Sequence, residues 1–253
     1  MELFSRVIGS GQPLIIIHGL FGMSDNWQSL AKQFSAFFEV HLIDQRNHGR
    51  SFHNDQFNYQ NLSEDLWNYI ESKQLDEVII LGHSLGGKTA MEFATANPSM
   101  VKKLIVVDIS PKFYPIHHHT ILEGLRFLSK HELTSRKVAD QLLSEFIHQS
   151  DVRQFLLKSL YWNEDRKLEF RFNLNGIANN IENVGQALGK QSFYDGPSLF
   201  LQGGDSDYIN SEDEDLIFHH FSNAQIETID DAGHWLHAQK PQVFFDLVSR
   251  FCI

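Results

Sequence analysis

One cysteine, Cys252, stands in the 253 residues. An internal disulfide is therefore excluded, and a reducing compartment, the cytoplasm, is expected. Basic charge is also scarce: Lys and Arg number 21 against 32 Asp and Glu, a formal net charge of −11. That balance argues against nucleic acid as a partner, because phosphate binding needs clustered cations. No apolar run reaches the roughly 18 residues of a membrane span. The opening Met1-Glu2-Leu3-Phe4-Ser5-Arg6 lacks the basic-then-apolar order of a secretory signal, so none is expected. Neither an internal repeat nor a low-complexity segment is present. The chain is 42% apolar and long enough for one large domain, or for a core carrying an insertion.

Short apolar runs alternate with helical patterns in the first half, which predicts β/α units and a parallel sheet. The predicted strands are Leu14–Ile17, Val40–Ile43, Val78–Leu81, Leu104–Val107, Leu199–Leu201 and Gln225–Ile229. Their continuous β-branched and leucine runs suit strands buried on both faces. Helices are predicted at about 27–37, 62–73, 85–97 and 241–251, with Pro98 ending the third. Between Pro111 and Asp195 the alternation is lost, and helical patterns recur at 121–128, 135–147 and 152–160. The reading is a core of residues 1–110 and 196–253 interrupted by a helical cap insertion, 111–195. The acidic run Ser211-Glu212-Asp213-Glu214-Asp215 reads as a helix start, where negative charge suits the dipole, ahead of a cation site.

Gly82-His83-Ser84-Leu85-Gly86 follows a predicted strand and opens a predicted helix. As a bare pattern it is weak; in that context it predicts a nucleophile elbow with Ser84 as the nucleophile. Flanking glycines let a sharp turn pack against its neighbours, and the helix N-terminus favours developing negative charge. A glycine-rich turn that merely joins strand to helix is the bland reading. His18-Gly19-Leu20-Phe21-Gly22 follows the first buried strand and predicts the other half of an oxyanion hole. The donors expected are the N–H groups of Leu20 and Leu85, with Phe21 as the alternative to Leu20. Asp44-Gln45-Arg46-Asn47-His48-Gly49-Arg50-Ser51 is read as scaffolding beside the site, although Arg46 and His48 could touch substrate. In Asp231-Ala232-Gly233-His234-Trp235, a loop before the last helix, His234 is the expected general base. His237 ranks below it, as a packing or rim residue.

These four motifs, the second carrying Arg46-Asn47-His48-Gly49, the third extended to Gly87-Lys88 and the last to Pro241, resemble the YbfF-type esterases of the α/β-hydrolase superfamily. The resemblance runs over nearly the whole chain. It implies an α/β-hydrolase fold, hydrolysis of small-molecule carboxylic esters, with acyl thioesters as a neighbouring class, and no metal or organic cofactor. It also raises the question of the acid that orients His234. The commonest version of the fold has an apolar-x-G-x-x-D pattern after the strand Leu199–Leu201. Here Gln202-Gly203-Gly204-Asp205-Ser206-Asp207 follows, and counting from Gly203 the acid slot holds Ser206. Asp108, directly after Leu104–Val107, is taken first, with Asp207 and Asp205 as alternatives. Ser206 would then support the histidine–acid pair. Against this stands Asp108 as a buried polar anchor for the hinge at Ser110-Pro111.

The triplet His117-His118-His119 lacks a further ligand at metal spacing and is read as a solvent-facing cap segment. Cap aromatics are mainly core, with Phe113, Tyr161 or Trp162 as candidates for an acyl pocket. Lys88 is read as structural or solvated. The expected activity is a serine carboxylesterase acting through an acyl-enzyme. Its rivals are a carbon–carbon bond hydrolase using the same triad and a non-catalytic ligand-binding protein. Aspartate-nucleophile chemistry is excluded by Ser84. Oligomeric state and acyl preference are not written in the sequence.

Overall fold

Residues 1–116 and 118–253 are described by the computed structural model. Nine strands form in chain order among them: β1 (Ser5–Ile8), β2 (Gln12–Ile17), β3 (Phe38–Ile43), β4 (Val78–His83), β5 (Val101–Val107), β6 (Leu160–Trp162), β7 (Leu168–Phe170), β8 (Ser198–Gly203) and β9 (Ala224–Ile229). Seven of them pair into one sheet in the order β1-β3-β2-β4-β5-β8-β9. Only β1 runs antiparallel to its neighbour; the other pairings are parallel. The expected mostly parallel sheet flanked by helices is therefore the architecture.

Alternation within β2 explains why it reads as an unbroken apolar run. Leu14 and Ile16 pack on one face with Trp27 and Phe34, beneath the helices Gln28–Phe34 and Pro241–Cys252. Ile15 and Ile17 face the other side, with Tyr69 and Phe93 on the helices Tyr59–Ser72 and Leu85–Ala96. A third apolar core lies beyond the carboxyl ends of the strands. Leu125, Leu143, Leu156 and Ile177, from the stretch between β5 and β8, close there on Leu20, Phe21 and Leu85. Burial of that core holds the helical stretch directly over the residues next to Ser84, since full burial of such side chains is worth about 1.5–3 kcal/mol each.

Within that stretch the helices are His119–Leu128, Arg136–Leu143, Ser150–Leu157, Leu174–Asn179 and Ile181–Val184. Two are shorter than their predicted 135–147 and 152–160. The second cannot run on to Leu160, because β6 and β7 pair as an antiparallel hairpin, with Leu160 opposite Phe170. Its turn holds Arg166 in a left-handed conformation, φ 58°. Three-residue strands carry no readable alternation, and the hairpin went unpredicted. The edge strand β1 was missed for a related reason: half-exposed Ser5-Arg6-Val7-Ile8 lacks an apolar run. The acidic run does open a helix, a 3₁₀ turn Ser211–Asp213 leading into Glu214–His220. Asp213 there pairs with Lys112 at 2.6 Å. Of the described residues, none forms a helix long and apolar enough to cross a membrane.

Candidate active site

Ser84 sits between β4 and the helix Leu85–Ala96 with φ 52° and ψ −116°. A non-glycine residue in that region stores roughly 1–3 kcal/mol of strain and persists only where its surroundings hold it. Two backbone bonds do so: Ser84 N–H donates to the Val107 carbonyl at 3.0 Å, and Lys88 N–H to the Ser84 carbonyl at 3.0 Å. The turn is too tight for side chains beside it. A Cβ on Gly82 would lie 2.1 Å from the Gly86 carbonyl oxygen, and one on Gly86 2.3 Å from that of Ile17. Glycine at both positions is therefore a steric requirement of presenting the hydroxyl at the sheet's carboxyl edge.

Asp108, directly after β5, is fully buried and also left-handed, φ 50°. Its Oδ1 accepts from Gly203 N–H at 3.0 Å, and its Oδ2 from the Ser206 hydroxyl at 2.5 Å and from His234 Nδ1 at 2.7 Å. A carboxylate so placed fixes the imidazole tautomer, with the proton on Nδ1 and the lone pair on Nε2. Asp205 and Asp207, the other two carboxylates weighed, are exposed and make no bond to His234. The His234 ring is further held by Tyr208, stacked on it at 4.0 Å and 18°. Its carbonyl accepts from His83 Nε2 at 2.8 Å. Ser84 and His234 line one cavity.

The loop after β2 brings two N–H groups to the same place. A Cβ on Gly19 would fall 3.3 Å from Ser84 Cβ, so the loop crosses close over the serine. Leu20 and Leu85 N–H groups have no acceptor among the described residues. Phe21 N–H donates to His48 Nε2 at 3.1 Å, which leaves Leu20 as the free donor of the pair considered. Arg46 and His48 do not line a cavity at Ser84. Arg46 is buried against Asp65, with hydrogen bonds of 2.5 and 2.8 Å, and His48 braces the Leu20–Phe21 loop. The second motif is scaffold. His237 is buried rather than on the rim, stacked on Trp27 at 4.1 Å.

Several of these histidines are built into the fold as neutral rings. His18 Nδ1 donates to the Gly19 carbonyl while Nε2 accepts from Gln45 N–H. His48 does the same with the Arg46 carbonyl and Phe21 N–H. A second proton would face an N–H with an N–H. Burial accordingly lowers His18 to about 4, and His48 and His83 to about 3. The unfolded chain takes up protons below about pH 6.5 while these sites do not. Stability is thus complete above that pH and is lost as pH falls toward 4 and 3. At about pH 5 the unfolded chain has taken up these protons while the folded rings have not, so acid favours unfolding. Urea unfolding at about pH 7.5 and pH 5 is expected to show a much lower midpoint at the acid end. An unchanged midpoint would mean the rings are protonated in place.

Two cavities meet at Ser84. One, of only about 30 Å³, is walled by Tyr59, Leu85, Ile109, Tyr114, Ile181 and Val184. The other, of about 240 Å³, is walled by Phe21, Ile121, Phe155, His234 and Trp235. Leu20, Ser84, His118 and Tyr208 border both. Tyr208 was not singled out from the sequence, and His118 only as part of the histidine triplet. A run of identical histidines carries no orientation signal, and His118 faces inward, contrary to the solvent-facing reading; His117 lies outside the described residues. The aromatics proposed for an acyl pocket are elsewhere. Phe113 and Trp162 are 60% and 51% exposed, and Tyr161 lies under the Arg171 guanidinium at 4.2 Å. Lys88 is buried and structural: its Nζ donates to the carbonyls of Pro111, Lys112 and Gln186. Desolvation, with the Lys112 charge second, brings it down to about 7.

A mostly parallel sheet of this order, with a serine on the strained turn after its central strand, defines the α/β-hydrolase class. The chain belongs to the alpha/beta hydrolase fold family, whose profile matches residues 12–241. It is similar to a putative esterase/lipase of Haemophilus influenzae, 41% identical over 94% of this chain and 82% of that protein. Identity to the sn-1-specific diacylglycerol lipase of Mus musculus is 36%, over 94% and 80% of the two chains. Identity to esterase YbfF of Escherichia coli is 30%, over 96% and 93%. Among solved structures, a marine microorganism esterase matches with a TM-score of 0.96 and 44% identity over 99% of both chains. The likeness to YbfF-type esterases therefore extends across the chain.

Proposed function

We propose that the chain is a serine carboxylic ester hydrolase with Ser84 as nucleophile, His234 as general base and acid, and Asp108 as the acid partner of His234. The observation that carries this reading is the 2.7 Å contact between the buried Asp108 carboxylate and His234 Nδ1. It leaves Nε2 as the proton acceptor in a cavity shared with a serine on a strained turn. Ser84 Oγ bonds to the ester carbonyl carbon as its proton passes to Nε2. Leu20 and Leu85 N–H groups receive the negative charge on the carbonyl oxygen; one such donor is typically worth about 2.7–4 kcal/mol. Collapse breaks the bond to the alkoxy oxygen, which takes the proton from His234. Water then adds to the acyl-enzyme by the same route in reverse, releasing the carboxylic acid and restoring the serine hydroxyl. Ser84 and His234 are not yet hydrogen-bonded, and such contacts commonly tighten as substrate binds.

The relatives named esterase or lipase and the apolar walls of both cavities support ester substrates with apolar groups. Residues 111–195 act as a cap over the site, and the enzyme works in the cytoplasm without a cofactor. The single buried cysteine accords with a reducing compartment. A fluorophosphonate probe tests the nucleophile: the wild-type protein is expected to be labelled covalently, and Ser84→Ala not at all. Equal labelling of the two would reject the assignment.

A further inference from the structure

The two cavities that meet at Ser84 differ at one decisive point: His234 borders the wide one and not the narrow one. Building on the ester-hydrolase reading, we propose that the narrow cavity holds the acyl chain and the wide cavity the leaving group. The preferred substrates are then esters of short, uncharged acyl groups with bulky apolar alcohols.

Proton transfer sets the sides. In acyl-enzyme formation His234 Nε2 must return its proton to the alkoxy oxygen, so that oxygen has to lie within hydrogen-bond reach of the imidazole. The group attached to it is thereby directed into the cavity that His234 borders. After it departs, water enters from the same side, and the acyl chain must lie where it blocks neither the histidine nor the water. Only the narrow cavity offers that. Leu85, whose N–H is unengaged, also borders the narrow cavity and not the wide one, which directs the carbonyl oxygen to its mouth.

The shape of each space then fixes the chemistry. The walls of the narrow cavity are tied together by two phenols: Tyr59 donates to the Val184 carbonyl at 2.6 Å, and Tyr114 to the Tyr208 carbonyl at 2.5 Å. Both hydroxyl protons are thus committed to the protein. None of the described residues lining it is a Lys, Arg, Asp or Glu, and its one histidine, His118, is shared with the wide cavity, so an acyl group ending in a second carboxylate finds no fixed positive charge. A long chain meets the tied wall. The wide cavity is several times larger and is flanked by the Phe155–Trp235 ring pair, 5.3 Å apart, which suits an aromatic or branched alcohol.

The test compares butyrate and laurate esters of phenol, and butyrate esters of phenol and naphthol, on wild type, Val184→Ala and Phe155→Ala. Val184 uses only its carbonyl to hold Tyr59, so trimming its side chain lengthens the cavity without cutting that tie. Wild type is expected to favour butyrate over laurate by about 10-fold or more in kcat/KM. Val184→Ala should narrow this ratio and leave the phenol-to-naphthol ratio alone, whereas Phe155→Ala should do the opposite. The reverse pattern, or a wild type that takes laurate as readily as butyrate, overturns the proposal while a labelled Ser84 keeps the hydrolase reading intact. If no ester is cleaved and Ser84 is not labelled, the hydrolase reading itself has failed and the assignment of the cavities falls with it.

Discussion

Replacement of Ser84 by alanine is expected to lower kcat for ester hydrolysis by about 10⁶, the scale of losses when the nucleophile of a serine triad is removed. The change deletes one oxygen from a backbone that stays strained, since alanine at φ 52° meets the same steric objection as serine. The bonds from Ser84 N–H to Val107 and from Lys88 N–H to the Ser84 carbonyl do not involve the side chain. The variant should therefore fold normally, with a thermal midpoint close to that of wild type, and the loss should lie in kcat. Adding His234→Ala should cost little more, because the two groups act as one unit. Initial rates on a butyrate ester, normalised by folded protein, check this. Retention of more than about a hundredth of wild-type kcat would identify a different nucleophile.

Asp108→Asn should lower kcat by about 10⁴. Asparagine fits the same volume but presents an amide where Oδ1 and Oδ2 now accept three hydrogen bonds, from Gly203, Ser206 and His234. An amide nitrogen toward His234 forces Nδ1 to become the acceptor and moves the proton to Nε2, where it can no longer take one from Ser84. The negative charge that stabilises the imidazolium is lost as well. Asp205→Asn and Asp207→Asn serve as controls, because both side chains are exposed and neither bonds to His234. Their expected effect on kcat is less than about 10-fold. Small and similar losses in all three variants would remove Asp108 from the proposed role.

Much of this arrangement was legible in the sequence, for identifiable reasons. β2, β4 and β5 are covered on both faces, so their buried runs stood out. The elbow was readable because Gly82 and Gly86 have no steric substitute at their positions. The nearness of Asp108 to His234 followed from strand order: β5 lies between β4 and β8, so its carboxyl end reaches both the serine and the histidine loop. Other features left no local trace. Tyr208 stacks on His234 through a loop with no periodicity, and His118 borders both cavities from the position just before a helix. The engagement of Phe21 N–H by His48 joins residues 27 apart in the chain. The β6–β7 hairpin was hidden because Leu160-Tyr161-Trp162 continues the apolar pattern of the preceding helix.

The contacts of Lys88 have a consequence for how such an enzyme diversifies. Its ammonium grips Pro111 and Lys112 on one side and Gln186 on the other, and Tyr114 N–H meets the Gly185 carbonyl at 2.8 Å. The excursion from Tyr114 to Gly185 thus starts and ends at a single knot, tied to the helix that follows Ser84. Closing a loop of twice the length costs only about 0.6 kcal/mol more. A sequence of another length and lining, returned to the same knot, remodels the walls contributed by Ile181, Val184 and Phe155 while the serine, histidine and aspartate keep their positions.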